Sequence, residues 1–122
     1  YSFRRCPYAI RARLALLAAQ QTVELREIVL RNKPEEFLNA SPTKTVPCLV
    51  LKNEIIDESL DIMIWALKIK DPKNWLKMPD NGYELIEMID NEFKNFLVSN
   101  FPKAKLAVSL HRHHSLEKTT FF

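Results

Sequence analysis

The chain has 122 residues, 47% of them hydrophobic, and a formal net charge of +3. This composition is typical of a globular protein, and the small charge argues against nucleic acid as a partner. No apolar run approaches the ~20 residues of a membrane span, so we expect no membrane partner. Cys6 and Cys48 lie far apart in the sequence, which argues against a disulfide framework and favours a reducing, cytoplasmic location. We expect no signal peptide, and we expect the chain to be a fragment.

The first elements predicted are the end of a strand and a helix. Tyr1–Phe3 is a short apolar start of strand character. Pro7 suits a first helical turn, where its missing N–H has no partner to lose. The residues from Tyr8 to Gln20 are strong helix formers. Spacing predicts that one apolar face of this helix consists of Ile10, Leu14 and Leu17.

Three further strand patterns and a short helical turn follow. Thr22–Leu30 alternates and is rich in β-branched residues, which predicts a strand. Pro34 precedes a single helical turn over Glu35–Leu38. Val46–Leu51 and Glu54–Ile56 are predicted to be two strands joined by a tight turn.

The remaining pattern is helical. Asp57–Lys70 predicts a helix capped by Asp57 or Ser59, with an apolar face formed by Ile62, Trp65, Ala66 and Ile69. Residues 68–81 are polar and contain two prolines, which is typical of a linker. Apolar residues at helical spacing then predict a long helix over Tyr83–Leu97.

This order predicts an α/β fold, in which a βαβ unit and a ββα unit form one layered domain. We assign residues 1–67 to that domain, 68–81 to the linker and 82–122 to the start of an all-α domain. The tail after Phe101 has no pattern that assigns it.

Cys6 is the candidate catalytic residue. It stands at the mouth of a predicted helix, where unpaired N–H groups and the helix dipole favour a negative charge. Arg4 and Arg5 precede it and add positive potential. A thiol reacts as the thiolate, so this position favours a reactive cysteine. The alternative is a small buried hydrophobe, and that is our interpretation of Cys48 in its apolar strand.

Four motifs together resemble one family. Cys6-Pro7-Tyr8-Ala9 resembles the active-site motif of glutaredoxins and cysteine-type glutathione S-transferases. The segment LRNKPEEFLNASP is similar to a loop of the omega-like transferases. Thr45-Val46-Pro47 is similar to the segment at the family's cis-proline, and Asp57-Glu58-Ser59 to its acidic-serine pair. The resemblance covers Tyr1 to about Leu67 and implies a thioredoxin-like domain.

The resemblance implies a glutathione site as well. Cys6 would face the glutathione sulfur, Val46 would pair with the tripeptide main chain, and Pro47 would be cis. Glu58 would bind the ammonium of the γ-glutamyl end, and Ser59, with helix N–H groups, its carboxylate.

Lys33 would reach the glycine carboxylate as a point charge. Each of these residues has a plainer interpretation. Lys33 can be a solvated loop lysine, Glu58 and Ser59 a helix cap, and Pro47 an ordinary trans proline at a strand edge.

The resemblance implies a glutathione-dependent thiol transferase, with glutathione as co-substrate. Ala9 stands where dithiol relatives have a second cysteine, so an external thiol must resolve Cys6. The second substrate would be a small electrophile or disulfide, and a complete helical domain would imply a homodimer. Conjugation activated by a hydroxyl such as that of Tyr8 is the rival chemistry. The alternative function is a non-catalytic transferase-like module for protein interaction.

Three histidines near the end of the chain raise the question of a metal site. His111, His113 and His114 lack the i, i+4 spacing of a helical metal pair and have no acidic or cysteine partner close by in the sequence. We therefore expect a solvated basic tail and no metal.

Overall fold

The computed structural model describes residues 1–100. The chain divides into two compact units at Lys77 and Met78, and each is described by itself. The predicted α/β class is confirmed for the first unit. The predicted boundaries of domain and linker stay predictions. The helices and strands of the described residues are α1 Pro7–Ala18, α2 Glu35–Ala40, β1 Leu49–Val50, β2 Ile55–Ile56, α3 Ser59–Ile69 and α4 Gly82–Asn100.

Helix α1 begins where the sequence predicts and buries a different face. Pro7 occupies the first turn and Cys6 is the N-cap residue. The predicted apolar face is wrong, because Leu14 is 53% and Leu17 is 74% exposed, and Ile10 is exposed too. The buried residues of the helix are Ala9, Ala12, Ala15 and Leu16.

Small side chains on this face allow α1 to lie close to α3. Ala12 and Leu16 form a core cluster with Ile62 and Ala66 of α3. Because the distance between two packed helices depends on the side chains between them, alanines permit a close approach that leucines would prevent. Burial of this stripe fixes the orientation of both helices.

Among the described residues, the sheet has fewer strands than the sequence predicts. Strands β1 and β2 are antiparallel, with Leu49 opposite Ile56 and Val50 opposite Ile55. The predicted strand over 22–30 is wrong in extent, since that segment contributes bridges only at Glu27, which pairs with Ser2, and at Val29. Most side chains of the segment are exposed, so the alternation of apolar and polar residues does not correspond to one buried face and one solvent face.

The opening residues lie between two neighbouring segments. Tyr1 and Cys48 exchange backbone hydrogen bonds at 2.7 and 3.1 Å. On the other side, the Ser2 N–H donates to the Arg26 carbonyl at 2.9 Å. A second core cluster, formed by Ile28, Phe37, Val46 and Cys48, packs beneath them. The strand character predicted for Tyr1–Phe3 thus holds at Ser2.

The start of α3 differs from the prediction in its cap. Glu58 is the N-cap residue, and its side chain makes no capping hydrogen bond. Neither Asp57 nor Ser59 caps the helix, because the Asp57 carboxylate accepts the Thr43 N–H at 2.9 Å and Ser59 is already helical. Ile69 is 55% exposed and does not belong to the buried face predicted for it. The buried residues of α3 are Ser59, Ile62, Ala66 and Leu67.

In the second unit, the predicted long helix is confirmed as α4. Its first residue, Gly82, donates its N–H to the Pro79 carbonyl at 2.8 Å. A Cβ at Gly82 would lie 2.7 Å from the Met78 Cβ, so a side chain there would force Met78 to move. The tail after Phe101, with its three histidines, lies outside the described residues.

Candidate functional site

Cys6 lies at the junction between the opening segment and α1. Its N–H donates to the Phe3 carbonyl at 3.0 Å, and its carbonyl accepts the Ile10 N–H at 2.9 Å. Its backbone is extended, with φ −77° and ψ 119°, and its side chain is partly exposed. The thiol therefore stands beside the first N–H groups of α1 and is accessible to a reactant.

The arginines before Cys6 have contacts of their own, and their predicted contribution to the potential at the thiol stays a prediction. The Arg5 guanidinium lies 5.5 Å from the centroid of the Phe3 ring. The backbone N–H of Arg4 donates to the Glu27 carboxylate at 2.6 Å. The guanidinium that holds this loop belongs to Arg13, which donates to the carbonyls of Phe3 at 3.5 Å and Arg4 at 3.2 Å and to the Ser2 hydroxyl. Arg13 thereby ties α1 to the segment that presents Cys6.

The segment from Val46 to Cys48 lies next to the thiol. The Val46–Pro47 peptide bond is cis, as the resemblance implies. The Cys6 Sγ lies 3.8 Å from the Val46 carbonyl oxygen, to which the protonated thiol donates. A partly exposed cysteine is thus adjacent to a backbone carbonyl that an extended peptide can also use.

Cys48 has the opposite environment. Only 2% of its surface is exposed, and it packs with Ile28, Phe37 and Val46. Burial is the main influence on this thiol and raises the pKa of Cys48. Cys48 therefore fits the inert packing role predicted for it.

Glu58 and Ser59 lie together at the start of α3. Glu58 has extended backbone, with φ −99° and ψ 129°. Ser59 is 3% exposed, so its hydroxyl is almost removed from bulk water. The Thr43 contact to Asp57 holds the chain just before this turn, at the other end of the loop that leads to Val46. An acidic side chain and a buried hydroxyl thus lie side by side at the N-terminus of α3, where the first backbone N–H groups have no intrahelical partner.

Sequence reasoning assigned no role at this site to Arg11. Its Nε donates to the Ser59 Oγ at 2.9 Å, and its guanidinium lies 5.1 Å from the Tyr8 ring centroid. The contact joins residues 48 positions apart. The sequence shows an arginine on the helix that follows Cys6. It does not show that this arginine contacts Ser59, because that contact depends on how α1 and α3 pack.

Lys33 lies outside this group of contacts. Its Nζ donates to the Lys44 carbonyl at 2.8 Å, where Lys44 has a left-handed backbone with φ 55°. The lysine is therefore used in holding its own loop to the segment before Val46. To bind a ligand carboxylate, Lys33 would have to give up its hydrogen bond to the Lys44 carbonyl.

A recess elsewhere in the first unit is too small for a tripeptide. Its volume is about 50 Å³, and its lining includes Ser2, Leu25, Pro47 and Ile62. Ligand pockets of drug-sized molecules are typically about 300–1,000 Å³. This recess therefore cannot enclose a tripeptide.

In residues 1–100, no group of three or more histidine, cysteine, aspartate or glutamate side chains could hold a metal ion. Within the same residues, no helix is long and apolar enough to cross a membrane.

Comparison with known proteins gives the relationship directly. Residues 1–74 match the profile of the glutathione S-transferase N-terminal domain. The chain is 29% identical over 97 residues to a probable chloroplastic glutathione S-transferase, DHAR2, of Oryza sativa subsp. japonica, a match that covers 80% of this chain and 35% of that protein. It is 37% identical over 57 residues to a probable glutathione transferase of Aplysia californica, covering 47% of this chain and 62% of that protein.

The chain thus spans 35% and 62% of the lengths of these two relatives. The profile match covers more than half of the chain and coincides with the unit that carries Cys6, the cis-proline and the Glu58-Ser59 turn. This chain belongs to the glutathione S-transferase family and contains its N-terminal, thioredoxin-like domain.

Proposed function

We propose that this protein is a glutathione-dependent thiol transferase that acts through the Cys6 thiolate. The observation that carries the proposal is the position of Cys6, at the N-cap of α1 and 3.8 Å from the Val46 carbonyl. A thiolate there is stabilised by helix N–H groups, and a thiol bound along Val46 would lie within its reach.

The reaction is thiol–disulfide exchange. The Cys6 thiolate attacks the glutathione sulfur of a mixed disulfide, a bond forms between the two sulfurs, and the substrate leaves as a thiolate that takes up a proton. A second glutathione, as its thiolate, then attacks that sulfur and leaves as oxidised glutathione, which regenerates Cys6. In the net exchange the bond between the substrate sulfur and glutathione is replaced by a bond between two glutathione sulfurs, so the substrate sulfur is reduced to a thiol and the sulfur of the one attacking glutathione is oxidised.

The chain's own residues supply the binding of glutathione in this proposal. Val46 pairs with the tripeptide backbone. When the Cys6 thiol loses its proton, it no longer donates to the Val46 carbonyl, and that carbonyl can then accept a hydrogen bond from the tripeptide. Glu58 binds the ligand ammonium and Ser59 the adjacent carboxylate. Lys33 reaches the glycine carboxylate by giving up Lys44, so its contribution is the smallest.

Turnover of a cysteine–glutathione mixed disulfide, in the presence of glutathione and coupled to reduction of the oxidised product, tests the proposal. We expect catalysis above the uncatalysed rate, and its loss after alkylation of Cys6 with iodoacetamide. Calorimetric titration of glutathione into the same protein measures binding separately. Binding without turnover would support the alternative, a non-catalytic module for protein interaction, and absence of both would refute either function.

A further inference from the structure

The turn that presents Cys6 is exposed at its centre. We call residues Phe3–Cys6 the Cys6 turn, and its ends are joined by the Cys6 N–H, which donates to the Phe3 carbonyl at 3.0 Å. The side chains of Arg4 and Arg5 between them are exposed. Because exposed turns with little packing move more than buried segments do, the groups that bind the backbone of this turn determine where the thiol lies.

Arg13 of α1 holds the Cys6 turn from the side of the helix. Its Nη1 donates to the Ser2 hydroxyl and, at 3.5 Å, to the Phe3 carbonyl, and its Nη2 donates to the Arg4 carbonyl at 3.2 Å. The side chain is half-buried. One planar guanidinium therefore contacts three consecutive residues, which a single point charge on a flexible stem cannot do with the same geometry.

Ser2 is a fixed anchor for that guanidinium. It is 3% exposed, its N–H donates to the Arg26 carbonyl at 2.9 Å, and its carbonyl accepts the Ile28 N–H at 2.8 Å. Ser2 cannot shift without breaking these two backbone hydrogen bonds. Its contact with Arg13 therefore fixes the guanidinium, and the guanidinium in turn fixes the two carbonyls of the Cys6 turn.

A second charged side chain holds the other side of the turn. The Glu27 carboxylate accepts the Arg4 N–H at 2.6 Å, so side chains of opposite charge bind the N–H and the carbonyl of Arg4. Hydrogen bonds to charged groups are stronger than those between neutral groups. The backbone immediately before the thiol is thus bound both from α1 and from the segment around Glu27.

The position of this turn matters because of what lies next to the thiol. The Cys6 Sγ is 3.8 Å from the Val46 carbonyl oxygen, beside which the proposed function places the glutathione backbone. In the exchange step, the Cys6 sulfur forms a bond to the glutathione sulfur, and the substrate leaves as a thiolate that takes up a proton. The reacting atoms must be close and aligned, and a displacement of about 1 Å can lower the rate by about a hundredfold.

We propose that Arg13 is a positioning residue for this exchange, because it fixes the Cys6 turn relative to Val46. The inference rests on the proposed function. Arg13 acts through the backbone of the turn, so its removal alters the approach of the thiol to a bound disulfide and leaves the thiol itself accessible. The effect depends on the planar fork of the guanidinium, since a hydroxyl and two carbonyls are bound together.

Three variants test this role. Arg13→Met removes the charge and every donor, while Arg13→Lys keeps the charge without the planar fork and decides the question where Arg13→Met disturbs the fold. Lys52→Met removes an exposed cation from the turn between β1 and β2 and is the control.

Two reactions of the thiol are compared in each variant. Reduction of the cysteine–glutathione mixed disulfide gives kcat and KM and requires a bound disulfide. Alkylation by iodoacetamide, a small reagent that needs no binding site, measures the reactivity of Cys6 itself. Alkylation of buried Cys48 in the same samples reports whether the fold is kept.

We expect Arg13→Met to lower kcat by about tenfold or more, while KM for the mixed disulfide and the alkylation rate of Cys6 each stay within about threefold of the unsubstituted protein. Arg13→Lys should lower kcat by about threefold or more, because an ammonium does not reproduce the fork. Cys48 should stay protected in every variant, and Lys52→Met should match the unsubstituted protein in all measurements.

An unchanged kcat in Arg13→Met, or full turnover in Arg13→Lys, would overturn the proposal. Alkylation of Cys6 that falls as far as kcat would overturn it too, since Arg13 would then act on the charge of the thiol. Faster alkylation of Cys48 in both Arg13 variants would do the same, because the loss would follow from a disturbed fold.

The unsubstituted protein separates this inference from the proposed function. If it shows no turnover, the proposed function fails and the role of Arg13 fails with it. If it turns over and the Arg13 variants do so equally well, the proposed function stands and only the role of Arg13 is refuted.

Discussion

The N-termini of α1 and α3 use the same backbone feature for different purposes. Each helix follows a residue with extended backbone, Cys6 or Glu58, and neither N-cap side chain makes a capping hydrogen bond. Both termini therefore keep N–H groups available for a negative charge. In our proposal, α1 stabilises the protein's own thiolate and α3 binds the carboxylate of a ligand.

The difference lies in the side chains around the two termini. The first turn of α1 contains no acidic residue, whereas that of α3 contains Asp61. Cys6 is partly exposed and Ser59 is buried. In our proposal, the partly exposed thiol at α1 suits chemistry, and the buried hydroxyl beside acidic residues at α3 suits recognition of a ligand's ammonium and carboxylate. The side chains around a helix N-terminus therefore decide which kind of negative group that terminus can stabilise.

The largest expected effect separates chemistry at α1 from binding at α3. Cys6→Ala should lower reduction of glutathionyl mixed disulfides by more than about a hundredfold, because the nucleophile is gone. Glutathione binding should persist, since Val46, Glu58 and Ser59 are intact. A coupled turnover assay measures the reduction, and calorimetry on the same preparation measures glutathione binding. Cys48→Ala is the control, and we expect it to retain turnover. Full turnover in Cys6→Ala would contradict the covalent mechanism.

The second effect compares the two thiols. At pH 6 and limiting iodoacetamide, we expect Cys6 to be alkylated at least about tenfold faster than Cys48. Burial raises the pKa of Cys48, which keeps it a thiol at that pH, and the same burial blocks access. Peptide mass mapping over time gives both rates, and unfolding in urea should remove the difference. Equal labelling in the folded protein would end the distinction between the two sites.

The smallest effect ranks the charges at the two ends of the ligand. Glu58→Gln should weaken glutathione binding by about tenfold or more, because it breaks a partly desolvated ion pair at a fixed helix start. Lys33→Ala should cost less than about tenfold, since its loop side chain must exchange the Lys44 carbonyl for the ligand and exposed ion pairs contribute about 0.2–1 kcal/mol.

Calorimetric titration of both variants decides this ranking, and their thermal unfolding checks that the fold is kept. A larger loss for Lys33→Ala would mean that the glycine end anchors the ligand. The assignment of the γ-glutamyl end to Glu58 and Ser59 would then be withdrawn.

Several local features of this protein were determined by its sequence. Pro7 and Pro34 predicted where two helices begin, and the spacing of apolar residues predicted α4, because both signals depend on neighbouring residues only. The four motifs in order, from Cys6-Pro7-Tyr8-Ala9 to Asp57-Glu58-Ser59, were together sufficient to indicate the family. Their spacing along the chain did not show that the Cys6 thiol contacts the Val46 carbonyl.

The tertiary structure decided which faces are buried and which distant residues meet. On α1, the exposed leucines and the buried face have the same helical period, and packing against α3 selects Ala12 and Leu16 over Leu14 and Leu17. The contact between Arg11 and Ser59 likewise depends on how the two helices pack. Periodicity describes one helix at a time, whereas burial and long-range hydrogen bonds are properties of the pair.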